Sequence, residues 1–284
     1  MWRLMNTQGS TTPACPGRLS ATGGEPRSLA AVDVFLESLD LVPGPPGACP
    51  YLPGRQATYS AFAASRLHPE VYHELMDRGF RRSGTVFYRD RCHGCAECRP
   101  IRVPVDRFRP SRSQRRVWRK NRDLTVRVGR PVYTAAKWRL FREYQEHQHD
   151  GTMVRTVDDF RSFLYASPVH TLEVCYQLGQ RLLGASIVDR SRRSLSSVYF
   201  YWSPQQASRS LGTYSILWEI DFCRRSGIPW YYLGLFVRNS KTMSYKARFR
   251  PCQIMTAAGR WVTLPPPRRP AAQVSAAPAG ADLR

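Results

Sequence analysis

Lysine is nearly missing from this chain: only Lys120, Lys137, Lys241 and Lys246 stand among 43 Lys and Arg residues. Acids are scarce as well, 21 Asp and Glu, so the formal net charge is +22 and the pI near 10.4. No apolar run approaches the roughly 18 residues that would suggest a membrane span, and the N-terminus shows no apolar stretch of a secretory signal. These absences are expected of a cytoplasmic protein that does not enter a membrane. The six histidines are scattered without a metal-binding repeat, and neither a nucleophile elbow nor a Walker loop is present. Metalloprotease, serine-hydrolase and P-loop chemistries are thereby set aside.

What the sequence has is arginine, aromatics and clustered cysteine. A hydrophobic content of 42% and an aromatic content of 12% over 284 residues suffice for a buried core. An excess of positive charge this large calls for a polyanionic partner. The eight cysteines do not read as a disulfide framework in a cytosolic chain. Three of them, Cys92, Cys95 and Cys98, follow one another at two-residue spacing, and Cys49 in a Pro/Gly-rich loop is the natural fourth. Four thiolates would satisfy tetrahedral zinc or an iron–sulfur cluster. Cys175 and Cys223 stand in apolar surroundings and read as small core residues.

A basic run follows the cysteines. Between Arg99 and Arg130 stand twelve Arg or Lys against Asp106 and Asp123. Arg112, Arg115, Arg116, Arg119 and Arg122 fall on a predicted helix over 109–124 with Ser111 or Ser113 as its cap. Guanidinium forks bind two phosphate oxygens at once, so this helix is a candidate RNA grip with steep salt dependence. DNA is not expected as a partner.

Pattern along the chain predicts an α+β protein. Composition predicts disorder over 1–29 and 263–284. A cysteine-bearing basic domain is expected over 30–124 and a mixed-sheet domain over 125–262. In the first domain the sequence predicts a strand over 31–39, a helix starting at His68-Pro69 and ending at Gly79, and strands over 81–92 and 101–105. In the second it predicts a strand over 125–129, helices over 134–150 and 157–166, three consecutive strands from 171 to 202, a helix over 209–227 and a buried strand over 228–235.

Two segments of the second domain carry candidate chemistry. Arg209-Ser210-Leu211-Gly212-Thr213-Tyr214 lies between strand and helix, where free backbone N–H groups face an anion. The pattern resembles the phosphate loop of GNAT-type acyltransferases. Met243-Ser244-Tyr245-Lys246-Ala247-Arg248 follows the buried strand and offers cations to a carboxylate or phosphate.

Longer stretches extend the resemblance. CPYLPGRQA (49–57), GFRRSGTVFYRDRCHGCAECRPIRVPV (79–105), FRPSRSQRRVWRKNRDL (108–124), VYFYWSP (198–204), RSLGTYSILWEI (209–220), YYLGL (231–235) and MSYKARFRP (243–251) closely resemble the bacterial arginyl-tRNA–protein transferase family. The resemblance implies a GNAT-like transferase domain behind a cysteine-bearing one. It also implies transfer of leucine from leucyl-tRNA to proteins with N-terminal Asp or Glu, with arginine as the alternative donor. Within it Tyr245 and Lys246 are the expected catalytic residues. Arg209, Gly212, Thr213, Tyr214, Arg248 and the helix arginines are the expected contacts to tRNA or acceptor, and Cys49, Cys92, Cys95 and Cys98 the expected metal ligands. Three places depart from the family pattern: Trp202-Ser203-Pro204, the run Leu235, Phe236 to Ser240, and the region near Gly151. A non-catalytic metal-containing RNA-binding protein and an acetyl-CoA-dependent enzyme are the rival readings.

Overall fold

Arg99–Pro104, the strand that follows the cysteines, is an inner strand of the largest sheet in the molecule. The computed structural model describes residues 29–149 and 154–266. Gly151 and most of the termini expected to be disordered lie outside the described residues. Thr263 and Leu264, assigned to the tail by composition, instead close a strand and bury a side chain.

The N-terminal part begins with helix α1 (Leu29–Glu37), which corrects the strand predicted over 31–39. Its alternating pattern also places Phe35, Leu36 and Leu39 at helical spacing, and these pack against a buried cluster around Leu75 and Phe87. Beyond it come β1 (Val42–Pro43), the short ladder β2 (Gly47–Ala48) and β3 (Gln56–Ala57), and β4 (Tyr59–Ala63). Helix α2 (Pro69–Asp77) starts where predicted, with the His68 side chain as cap and Pro in its first turn. Gly79 at φ 85° turns the chain out of it. The predicted strand over 81–92 is a hairpin of β5 (Arg81–Ser83) and β6 (Val86–Asp90). Gly84 sits at its turn with φ 58°. Strands β1, β4, β6 and β5 form one antiparallel sheet in that order.

The second sheet has eight strands in the order β14 (Trp261–Thr263), β13 (Gln253–Met255), β7 (Arg99–Pro104), β12 (Trp230–Phe236), β11 (Ser194–Trp202), β10 (Arg181–Arg190), β9 (Thr171–Leu178), β8 (Thr125–Gly129). Strand β7 belongs by sequence to the part before residue 125, yet it pairs with β12 and β13. Helix α3 (Arg112–Lys120) and helix α6 (Leu211–Arg225) pack together beside one face of this sheet. Helices α4 (Ala135–His149) and α5 (Val157–Leu164) cover the other. Strand β10 shows why both faces are covered. Leu183 joins the cluster under α6, while Ala185 and Ile187 join the cluster under α4 and α5. Such a strand is apolar on both sides and cannot lie open to water.

One irregularity positions the site. All neighbouring strands are antiparallel except β11 and β12, which run parallel. They pair only from Ser194–Trp230 to Ser196–Tyr232. Beyond that point β11 continues to Trp202 and β12 to Phe236 with no bonds between them. The sheet is therefore forked at its middle, at the carboxyl ends of two parallel strands, where ligands of open sheets bind. This is the mixed, splayed sheet expected of a GNAT-like domain.

Candidate active site at the fork

Lys246 lies on a short 3₁₀ turn (Ser244–Arg248) beside the fork. Its Nζ donates to the carbonyl of Leu235 on β12 at 2.9 Å and lies 3.5 Å from Met243 Sδ. Burial pushes the Lys246 ammonium down to about 7, and the positive charge of Arg81 adds to that effect. Tyr245, next in sequence, has one side open to solvent. Its hydroxyl is pushed up to about 12, by burial first and then by Glu219. It therefore keeps its proton throughout the neutral range. Arg248 is exposed, and what the structure holds is its backbone, whose carbonyl accepts from Gln114 Nε2 at 3.2 Å.

Arg81 is the site residue that sequence reasoning missed. It comes from the N-terminal hairpin and spans the fork. One arm donates to the Ser197 carbonyl on β11 at 2.8 Å, and another reaches Ser196 Oγ at 3.4 Å. On the far side the guanidinium lies against Gly234 of β12, where an added Cβ would stand 3.1 Å from its Nη2. Gly234 also has φ 92°, so both space and backbone require glycine there. The signal was present in Arg81-Arg82 between Gly79 and Gly84. Adjacent strand residues point to opposite faces, so two arginines in a three-residue strand cannot share one environment. Arg82 takes the buried face and forms a two-pronged pair with Asp189 at 2.7 and 2.8 Å, with Tyr72 and Thr171 on the same carboxylate.

The four candidate cysteines are brought together. Cys49, Cys92, Cys95 and Cys98 line one small cleft with Tyr51, Tyr59 and Asp90. All four are free thiols of intermediate exposure. Burial raises the Cys92 and Cys98 thiols, and Cys98 is further raised by Asp90 and the other thiols. Four thiols suit zinc or an iron–sulfur cluster as a donor set. Nevertheless, no three His, Cys, Asp or Glu side chains among the described residues stand where they could hold one ion. A metal would need the cleft to close further. The cleft also adjoins the fork. Asp90, pushed up to about 6 by burial and opposed by Arg81, links the two.

Helix α3 is built as the sequence predicts. Ser111 and Gln114 cap each other's backbone N–H, which starts the helix after Pro110. Arg112, Arg115, Arg116, Arg119 and Arg122 are all exposed. Three bonds fasten the helix beside the site: Gln114 to the Arg248 carbonyl, Lys120 Nζ to the Ser208 carbonyl at 2.7 Å, and Asn121 Nδ2 to the Arg209 carbonyl at 2.9 Å. Between α3 and α6 runs a groove of about 430 Å3 with Phe108, Trp118, Leu217 and Ile220 in its lining and Arg115, Arg119 and Arg122 among the arginines that line it. Apolar and aromatic surface beside guanidinium groups is the composition of a nucleotide-binding groove.

The start of α6 departs in part from expectation. Ser210 is left-handed, φ 54°, and its side chain makes no capping bond. The N–H groups of Thr213 and Tyr214 turn back to the Ser210 carbonyl at 3.0 and 3.1 Å, so the first-turn N–H left for a ligand is that of Gly212 rather than Thr213. Tyr214 is instead a core residue, buried against Trp118 and Tyr176. Arg209 is already engaged, its guanidinium bound at both arms to Asp123 at 2.9 and 2.8 Å. Of the departures from the family pattern, Ser203 is buried with its hydroxyl bonded to Gln205 Oε1 at 2.6 Å, and Phe236 and Ser240 are buried too.

A carboxyl group lies deeper on α6. Glu219 is fully enclosed and accepts from the Tyr231 and Tyr176 hydroxyls. Burial raises it to about 7 despite those bonds.

Comparison with known proteins agrees with this construction. The profile described as arginine-tRNA-protein transferase, N terminus, matches residues 47–116, and the C-terminus profile of the same family matches residues 136–256. A protein of Hahella chejuensis named aspartate/glutamate leucyltransferase is 35% identical over 233 residues, 81% of this chain and 99% of that protein. One of the same name from Pseudomonas entomophila is 40% identical over 226 residues, 77% of this chain and 94% of that protein. Among solved structures, the C-terminal domain of a putative lysylphosphatidylglycerol synthetase from Agrobacterium fabrum overlaps with a TM-score of 0.40 at 13% identity, covering 62% of this chain and 54% of that one. Two profiles that together span most of the forked sheet, the cysteine cleft and the basic helix, with relatives matched over nearly their whole length, show that the chain belongs to the arginine-tRNA-protein transferase family.

Proposed function

We propose that the protein transfers leucine from leucyl-tRNA to the α-amino group of proteins that begin with Asp or Glu, giving them an N-terminus that marks them for degradation. The observation that carries this reading is the match over nearly the full length of relatives named for that activity. The geometry supports this reading at each part of the reaction. The exposed arginines of α3 hold the tRNA backbone, with the groove against α6 beside them. The uncapped first turn of α6 receives the terminal phosphate or ribose, and the fork between β11 and β12 admits the aminoacyl ester and the acceptor amine.

Little acid–base machinery is needed. The ester of an aminoacyl-tRNA is already activated, and an α-amino group with a pKa of about 7.7–8.0 is partly neutral at cytoplasmic pH. Attack on the ester carbonyl forms the new C–N bond. The carbonyl oxygen's transient negative charge is stabilised by nearby donors, and collapse expels the ribose oxygen, which takes up a proton. Tyr245, protonated in the free protein, is the group proposed to give that proton; the proton lost by the amine passes to solvent, and Tyr245 recovers one from solvent. Orientation and electrostatic stabilisation then carry most of the rate. The proposed substrates place the protein in the cytoplasm.

The test is to incubate the protein with leucyl-tRNA, arginyl-tRNA or acetyl-CoA and peptides starting with Asp, Glu or Ala. Leucine on the Asp and Glu peptides alone is the expected result. Acetylation, or RNA binding with no transfer, would replace this reading with one of its rivals.

A further inference from the structure

The fork holds two cations without an anion. Arg81 bridges β11 and β12 just past their last pair, and Lys246 meets β12 one residue beyond Gly234, the residue on which Arg81 rests. Neither forms an ion pair with any described carboxylate. Lys246 is in this the exception among the buried cations of the described residues. Arg82 has Asp189, Arg102 has Asp77 and Lys137 has Glu173. A buried ammonium with the half-buried Arg81 as its electrostatic neighbour costs the free protein stability, and that cost is relieved when a negative group arrives between them. Asp90 does not fill this role: it is an electrostatic neighbour of Arg81 but forms no ion pair with it.

We infer that Arg81 and Lys246 form the subsite for the side-chain carboxylate of the acceptor, with Arg81 as the residue that selects an acidic N-terminus. The inference rests on the proposed acceptor class and deepens it. Arg81 is suited to the task because its position is fixed by Ser196, Ser197 and the bare face of Gly234, while its fork can take both oxygens of a carboxylate. A bound carboxylate would also restore the charge of Lys246, which burial and Arg81 hold down in the free protein. The subsite joins the two sheets, since Arg81 comes from the hairpin that precedes the cysteines and Lys246 from the segment after β12. Recognition of the acceptor thus requires both parts of the chain. Arg248, the other candidate for this role, is exposed and makes no described side-chain bond to the fork.

The experiment compares peptides that differ only in Asp or Asn at the first position. Binding of each, labelled at its far end, is measured by fluorescence anisotropy to the full chain and to Arg81→Met, Arg81→Lys and Lys246→Met, with leucine transfer followed in parallel. The wild type is expected to favour Asp. Arg81→Met should weaken the Asp peptide by about ten- to a hundredfold, the range for a hydrogen bond to a charged group, and leave the Asn peptide nearly unchanged. Arg81→Lys should keep most of the preference, and in transfer the loss should fall on KM more than on kcat. Equal weakening of both peptides would make Arg81 a strut between the sheets, and an unchanged ratio would remove it from the subsite. If Arg81→Met does not fold, Lys246→Met carries the same comparison, and an intact preference there overturns the inference. Asp-selective binding that depends on Arg81, without transfer from leucyl-tRNA, would refute the proposed reaction alone. Transfer with no dependence on Arg81 would refute the subsite alone.

Discussion

Lys246 Nζ donates to the carbonyl of Leu235 at 2.9 Å, so a buried ammonium is held against the strand that lines the fork. Burial and Arg81 bring this group from the ordinary 10.5 to about 7. The unfolded chain therefore binds a proton between pH 7 and 10.5 that the folded chain has released. Stability contributed by this residue must rise with pH across that window and be lowest below 7. Thermal denaturation at several pH values should show that Lys246→Met flattens the rise. A parallel rise in both proteins would mean that the lysine is not desolvated as described.

Asp123 stands in the opposite position. It removes a cation from the RNA face by holding Arg209 at both arms. The carboxylate is half exposed, so Asp123→Asn should cost less than about 1 kcal/mol of stability. Freeing Arg209 and deleting one negative charge should tighten tRNA binding. It should also steepen the plot of log K against log salt by about one. Titration of tRNA at three salt concentrations decides it, and a weaker complex would show that the pair itself orders the start of α6.

The exposed arginines of α3 predict the reverse. Replacing Arg115, Arg116 and Arg119 together by Gln removes three cations that make no ion pair among the described residues. The salt slope should fall by about two to three and the fold should be retained. Circular dichroism checks the fold. An unchanged slope would take the helix out of the RNA interface.

Arg82 and Asp189 join the hairpin to the large sheet without exposure to solvent. Breaking such a pair from one side leaves a lone charge in the interior, so Asp189→Ala should destabilise by roughly 3–5 kcal/mol. Urea unfolding would measure it. A loss below about 1 kcal/mol would mean that water reaches the arginine.

Much of this was legible from local signals. Ser111 and His68 announced their helices because capping is a short-range bond, and Arg209–Tyr214 announced the start of α6. What stayed hidden depended on partners far along the chain. Asp123 is 86 positions from Arg209, and Arg81 reaches residues 115 and 116 positions away, which no spacing rule reports. The strand expected over 31–39 failed for another reason. Nine residues of mixed polarity satisfy both a two-residue and a 3.6-residue period, and packing against α2 decides between them.

The placement of β7 has a consequence for inheritance. It lies in the stretch matched by the N-terminal family profile but is bonded on both sides to strands matched by the C-terminal one. A fragment starting at residue 125 would lose Ile101 and Val103 from its core and leave β12 and β13 with open edges, the condition that leads to aggregation. Hybrids that join the first half of one relative to the second half of another must therefore graft a strand between two foreign neighbours. The two halves thus share one sheet and one core, although each is recognised separately by its sequence.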